Sequence, residues 1–332
     1  VFTPVADADA RAFLGHYDAG LLVGIEGIAS GIENSNFFLD TDKGRFVLTV
    51  FERLEAAQLP FYLGLMRHLA KRGIPCPAPL ADTQGKLFNT LHGKPAALVS
   101  RLSGKAVEQP VVTHCEQVGA LLAQMHLAAS DYPQQLPNPR GRDWWEKIAP
   151  QVRPFLAPET AQLLDDELSE QRRFAADAEF IALPSGPVHA DLFRDNALFA
   201  SGSSGATKGP EGTGGPTRIT GVIDFYFAGC DSWLYDLAVT ANDWCIDDDS
   251  GQFDPARLNA LLDAYQRVRP LRSNERRAWS MMLRAAALRF WLSRLHDLHS
   301  PRPAQLVNPK DPGHFERILK LRRNAPPSVA GQ

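Results

Sequence analysis

The segment HADLFRDN, residues 189–196, sets one histidine, two aspartates and an asparagine within eight positions. Asp191 offers a carboxylate that can take a proton from a hydroxyl. Asn196 offers an amide carbonyl oxygen five residues later. A third oxygen donor, Asp224, closes the apolar run GVIDF at 221–225. A hard cation such as Mg2+ takes oxygen ligands and keeps several waters, so one carboxylate and one amide oxygen are enough protein ligands for it. A positioned hydroxyl, a carboxylate to receive its proton and a cation to neutralise phosphate charge are the requirements of phosphoryl transfer. Taken singly, Asp191 and Asn196 would pass as turn residues and Asp224 as the cap of a strand. Their order, with apolar strands between them, favours the chemical reading.

The pattern His-x-Asp-x-x-x-x-Asn has the form of a kinase catalytic loop, in which the aspartate accepts a hydroxyl proton and the asparagine holds the metal. A short loop entering a strand can aim Asp191 at an acceptor and Asn196 at a cation on the same side. Asp224 followed by Phe225 matches the start of the metal-binding Asp-Phe-Gly of kinases, although the third residue here is Tyr226.

Elements must hold these groups in place. Residues 7–19 read as an amphipathic helix, and three strands are expected near 21–28, 36–40 and 45–51, with TDKG at 41–44 as a turn. Pro60 opens a helix over 59–73 whose Leu63, Met66 and Leu69 share a face and which Gly73 stops. LFNTL and PAALVSRL read as two more strands ending near 102. Beyond Gly104 the pattern turns helical, with helices expected over 113–129, 142–152, 158–177, 234–246, 254–268, 274–298 and 311–323. Two strands, 196–200 and 218–225, flank the Gly- and Ser-rich stretch 201–216, which reads as a hairpin tip whose deletion over 203–214 should leave activity intact. His126 falls inside a helix, where a lone histidine is more often a core residue than a ligand. The result is an α+β chain: a small antiparallel sheet, then a larger helical part.

The 332 residues are enough for two domains, and a net charge of -3 gives no footprint for nucleic acid or an anionic membrane. The four cysteines form no Cys-x-x-Cys pair, which argues against a zinc site and fits a reducing compartment. The early run AGLLVGIEGIASGI is short and broken by Glu26, so it is not expected to span a bilayer. No secretory signal is read at the start of the sequence, and a cytoplasmic location is expected.

HADLFRDN, VIDF and DSWLYDLA (231–238) resemble the aminoglycoside phosphotransferase and choline kinase superfamily. GIASGIENSNFFL, FVLTVFE, LPFYLGLMRHLAKRGIPCPAP and HADLFRDNALF are similar, within it, to the homoserine kinase family, over about residues 10–300. The resemblance implies a protein-kinase-like two-lobed fold, with an N-lobe over 1–102 and a C-lobe over 103–332. It implies ATP-dependent, Mg2+-assisted phosphorylation of the L-homoserine hydroxyl, a step of threonine biosynthesis, with Asp191 as base and Asn196 and Asp224 as metal ligands. ASGIENSN (29–36), including Ser30, Gly31, Asn34 and Ser35, would lie over the ATP phosphates. LVSRLSG (98–104) would be the hinge, its Ser100, Arg101 and Leu102 backbone facing adenine. One departure stands out: Thr49 occupies the slot where the fold normally places a phosphate-binding lysine.

The acceptor site is read from chemistry. A zwitterion asks for an arginine at its carboxylate and an acid at its ammonium. Arg194, inside the loop, is the first candidate for the former and Asp231 for the latter, with Asn34 and Trp144 as further candidates. Other readings stay open: a kinase of the same superfamily acting on an aminoglycoside, choline or methylthioribose, or a pseudokinase-like binding protein, which the missing lysine would suit.

Overall fold

The computed structural model describes residues 3–28, 34–201, 217–300 and 310–324. The described chain falls into two compact units: one holds residues up to Ser103 together with Gly221–Ile223, and the other the chain from Gly104 onward, apart from that strand end.

The first unit opens with helix α1 (Asp7–Leu14) and strands β1 (Leu22–Gly27), β2 (Asn34–Thr41) and β3 (Gly44–Phe51). Helix α2 (Leu59–Lys71) and strands β4 (Asn89–Leu91) and β5 (Lys94–Ser100) complete it. The sheet order is β1-β2-β3-β5-β4, and every neighbouring pair is antiparallel. Period-two burial explains the layering: Phe37 and Leu39 of β2 and Leu48 and Val50 of β3 face one core with Phe13 and Leu14 of α1. The first helix ends sooner than residue 19 because His16 and Tyr17 tighten into i→i+3 turns on Phe13 and Leu14.

The second unit holds α3 (Val112–Ala129), α4 (Arg142–Val152), α5 (Pro158–Ala175) and α6 (Ala178–Ile181). Strands β6 (Ser185–Val188), β7 (Ala197–Ser201), β8 (Thr217–Val222) and β9 (Gly229–Ser232) follow, and then α7 (Trp233–Trp244), α8 (Pro255–Val268), α9 (Ser273–His299) and α10 (Gly313–Asn324). β7 pairs with β8, and β6 with β9 antiparallel. The β6–β9 pair has no counterpart in the sequence reading, since SGPV and GCDS are too short and too poor in β-branched residues to signal strands. β8 stops at Val222 rather than 225 because Asp224 is left-handed, with φ 63°. The expected tip at 201–216 lies outside the described residues apart from Ser201.

α9 is the spine of this unit. Trp279, Leu283, Leu288 and Trp291 are all essentially sealed from solvent, which fits a helix apolar around most of its girth and packed by α4, α5, α7 and α10. α3 and α8 pack closely at Gly119, where an added Cβ would come within 3.0 Å of the Leu261 carbonyl carbon and closer still to its oxygen. Gly119→Ala should therefore cost about 1–3 kcal/mol through forced separation of the helices. A thermal melt should show a fall of several degrees, and an unchanged melt would mean the pair has slack.

Candidate active site

Within the second unit, β6 delivers residues 189–193, and a 3-10 turn at Arg194–Asn196 feeds β7. Ala190 has φ 61°, a left-handed conformation that is costly for a residue with a Cβ. Asp236 on α7 holds it there. One carboxylate oxygen accepts the His189 N–H at 2.9 Å and the other accepts the Ala190 N–H at 2.7 Å. Behind Asp236, His126 Nε2 lies at 3.0 Å, its Nδ1 meets the Tyr265 hydroxyl at 2.7 Å, and Arg269 Nε donates to that hydroxyl at 2.7 Å. Arg269 also pairs with Glu275. Burial disfavours charge on Asp236, yet the His126 bond and the loop amide hold its carboxyl below the usual range. Burial lowers His126, so the imidazole is the neutral partner.

Asp191 and Asn196 are brought together. Asn196 Nδ2 donates to the Asp191 carbonyl at 2.8 Å and to its carboxylate at 3.3 Å. The NH2 end of the amide is thereby used, and its carbonyl oxygen is left for another ligand. Burial pushes the Asp191 carboxyl up to about 7; the charges of Asp224 and Asp195 act in the same direction, and Arg289 opposes them. Arg289 Nη2 stands 3.4 Å from Asp191 Oδ1. A carboxyl in this setting is ionised in part near neutrality and can receive a proton. The His189 ring packs 4.7 Å from that of Phe225, which ties the segment after Asp224 to the same loop.

The donor chemistry here fits a hard cation. Asn196 offers a carbonyl oxygen and Asp224 a carboxylate, and among the described residues no group of three or more His, Cys, Asp or Glu could hold a metal alone. Two protein oxygens with water and phosphate oxygens are the set Mg2+ prefers.

The other sequence-derived candidates are placed as follows. The Arg194 guanidinium is occupied by Asp243 (3.3 Å), Asp248 (2.8 and 3.0 Å) and the Glu108 carbonyl (3.0 Å), and its backbone N–H by Asp243 (2.7 Å). It clamps the catalytic-type loop to the start of the acidic 245–251 stretch. Asp231 accepts from Asn138 Nδ2 at 2.8 Å and from the Ser232 N–H at 2.7 Å; burial raises its carboxyl. It lines a cavity of about 190 Å³ that Asn138, Arg142, Tyr235 and Ala285 also wall. Trp144 stacks 4.4 Å from the Arg140 guanidinium and meets the His296 ring edge-on at 6.3 Å. His126 is a core histidine, as expected, though one with a structural task.

In the first unit, Ser30 and Gly31 lie outside the described residues. Asn34 is buried at the start of β2. The Ser35 hydroxyl donates to Glu52 at 2.6 Å and accepts the Thr3 N–H at 2.9 Å, and Glu52 pairs with Lys94. The Thr49 hydroxyl, in the slot expected for lysine, donates to Asn36 Oδ1 at 2.8 Å within the sheet. At the proposed hinge, the Ser100 and Arg101 amides are engaged by the Ala78 and Arg45 carbonyls at 2.9 and 3.1 Å, and Arg101 lies over the Phe38 ring at 3.7 Å. These bonds narrow what Ser100 and Arg101 can offer a ligand, and Leu102 packs against Gly221.

Asp236 and Arg289 were missed as site residues. DSWLYDLA was noticed, but nothing local tells that its second aspartate holds a loop 47 residues earlier. Arg289 carries no sequence signal, being one arginine among several on α9.

Residues 24–271 match the model of the phosphotransferase enzyme family, and the chain belongs to that family. It is 56% identical over 322 residues to a homoserine kinase of Burkholderia mallei (strain SAVP1), a span that covers 97% of this chain and 95% of that one. The same identity and coverage hold for a homoserine kinase of Burkholderia thailandensis. Among solved structures, it is similar to an amicoumacin kinase in complex with AMP-PNP, Ca2+ and Ami (TM-score 0.64, 14% identity, 91% of this chain and 89% of that one). It is also similar to a microcompartment-associated aminopropanol kinase (TM-score 0.65, 16% identity, 96% and 97%). These likenesses show the fold, protein-kinase-like and α+β, as read from the sequence. Among the described residues no helix is long and apolar enough to cross a membrane.

Proposed function

We propose that this chain is a cytoplasmic small-molecule kinase that transfers the γ-phosphoryl group of ATP to the side-chain hydroxyl of L-homoserine, giving O-phospho-L-homoserine and ADP in threonine biosynthesis. The observation that carries the reading is the Asp191 carboxyl, held by Asn196 and raised to about 7 inside a loop whose backbone Asp236 pins. The near-full-length likeness to homoserine kinases supports the choice of acceptor.

The roles follow from chemistry. Asp191 orients the acceptor hydroxyl and takes its proton as the oxygen bonds to the γ-phosphorus and the bond from that phosphorus to the β-bridging oxygen breaks. Asn196 and Asp224 would hold Mg2+, which supplies charge neutralisation of the phosphates when bound. Ser30, Gly31, Asn34 and Ser35 belong to the segment proposed to cover the phosphates, and the backbone of Ser100, Arg101 and Leu102 is the hinge proposed to face adenine. Thr49 cannot supply the positive charge of a lysine, so phosphate charge falls to the cation and to backbone N–H groups.

The test is ADP release with Mg-ATP across L-homoserine, D-homoserine, L-serine, L-threonine, choline, methylthioribose and kanamycin. Stereoselective turnover of L-homoserine is expected. Turnover of kanamycin, choline or methylthioribose in its place would overturn the acceptor while keeping the phosphotransferase. Silence throughout, with ATP still bound, would favour a binding protein.

A further inference from the structure

The buried arginines of the second unit are satisfied by the protein, with one exception. Arg269 pairs with Glu275 and Tyr265. Arg322 reaches Asn242 Oδ1 at 3.0 Å and the Gly251 carbonyl at 3.1 Å. Arg289 is just as buried, at 3% exposure, yet its Nε has no hydrogen-bond partner among the described residues. Its approach to Asp191, 3.4 Å from Nη2, is too long for a good charge-assisted bond and engages one corner of the fork. The guanidinium instead lies over the Phe290 ring at 3.7 Å, with the Phe227 ring at 5.3 Å. A buried cation with an unused donor is costly unless an anion completes it.

We propose that Arg289 receives the acceptor's carboxylate, and that it is the residue by which this kinase prefers an amino acid to an amino alcohol. The inference rests on the homoserine reading above and names the contact that reading left open. A planar fork matches a carboxylate bidentately. Ala285, one turn before Arg289 on α9, walls the 190 Å³ cavity. Asp231 lines that cavity too. Arg289 and Asp231 both act electrostatically on the buried Tyr235 hydroxyl, in opposite directions. A zwitterion with its hydroxyl at Asp191 thus finds a cation beside the base, and Asp231 supplies an acid that acts on the same tyrosine as that cation. Arg194, the sequence-based candidate, has its donors committed to Asp243, Asp248 and Glu108.

The experiment compares the full-length wild type with Arg289→Gln and Arg289→Lys on two acceptors, L-homoserine and 3-aminopropan-1-ol, which is homoserine without its carboxylate. The binding of L-2-aminobutyrate, which keeps the carboxylate but lacks the hydroxyl, is measured by titration calorimetry in the presence of Mg-ADP. Arg289→Gln should raise the KM for L-homoserine by about 10–100-fold, the range of one lost charged hydrogen-bond pair. It should weaken L-2-aminobutyrate similarly, leave the KM for ATP unchanged, and bring the two acceptors to comparable kcat/KM. Arg289→Lys, which keeps the charge and loses the fork, should fall between. Equal losses on both acceptors with unchanged L-2-aminobutyrate binding would overturn the anchor and leave Arg289 acting through Asp191 alone. A raised KM for ATP would overturn it in favour of a phosphate contact. A wild type inactive on L-homoserine would overturn the acceptor reading itself, a result that needs no variant and so is told apart from failure of the anchor.

Discussion

Asp191→Asn should lower turnover of L-homoserine by about 10²–10⁴-fold, the usual contribution of a positioned proton acceptor. ATP binding should stay within a few-fold of the wild type. The amide is nearly isosteric and cannot accept the hydroxyl proton. The loop itself should survive, because Asn196 holds the Asp191 backbone carbonyl at 2.8 Å and Asp236 holds the two preceding amides. Activity by coupled ADP release and nucleotide affinity by calorimetry separate chemistry from binding. Wild-type turnover in a clean preparation would remove Asp191 from the reaction. A second consequence concerns stability. Burial and the Asp224 charge raise the carboxyl from 3.8 to about 7, so in the fold it keeps its proton at pH values where the unfolded chain has released it. Stability therefore falls as pH rises from about 4 to about 7, and the penalty is complete above that. Asp191→Asn lacks it. Relative to the wild type, the variant should gain stability across that window and melt higher at pH 8, while the two converge near pH 4. A site that is costly to maintain and improves in stability when inactivated is the expected signature of function.

How much of this was legible depends on whether partners are close in sequence. Asp191 and Asn196 share one turn, and their spacing alone announced them. Phe37, Leu39, Leu48 and Val50 alternate strictly, so the sheet was readable, and the long helices of the second unit followed from their periodicity. What escaped was set by distant neighbours. Arg194 looked free because its loop is polar; Asp243 and Asp248, 49 and 54 residues later, take it. Arg289 looked ordinary because only the packing of α9 shows that it is buried, short of partners and beside the base. The β6–β9 pair was invisible since each strand is four residues long and defined by its neighbour rather than by its own composition. Thr49 was read as standing in the lysine slot, but its bond to Asn36 depends on β2–β3 register, which local patterning does not specify.

The second large effect concerns Asp236, whose carboxylate touches no reacting atom in the proposed chemistry and acts by positioning. Removing it in Asp236→Ala leaves His126 and the His189 and Ala190 amides without their acceptor in a sealed interior. Breaking a buried charged partnership of this kind costs about 3–5 kcal/mol. For a unit of this size each kcal/mol lowers the melting temperature by about 2–4 °C, so a fall near 10 °C is expected. Asp236→Asn is the sharper test. Its single carbonyl oxygen can accept one loop N–H, not both on separate oxygens, so the loop should stay folded but lose its grip on Ala190. That residue, at φ 61°, then has reason to relax to a right-handed or extended conformation, carrying Asp191 with it. Turnover should fall at least tenfold while the KM for ATP stays near the wild-type value. Glycine has no penalty at positive φ. Ala190→Gly should therefore be nearly neutral alone and should restore part of the turnover lost in Asp236→Asn. A purely structural role for Asp236 predicts no such rescue, because filling a backbone requirement one residue before the base would not mend a hole beside His126. If the double variant is no faster than Asp236→Asn, the carboxylate serves the core and not the loop. If it recovers, the strain at Ala190 is what Asp236 exists to hold, and the His126–Tyr265–Arg269 chain behind it keeps that carboxylate charged and aimed.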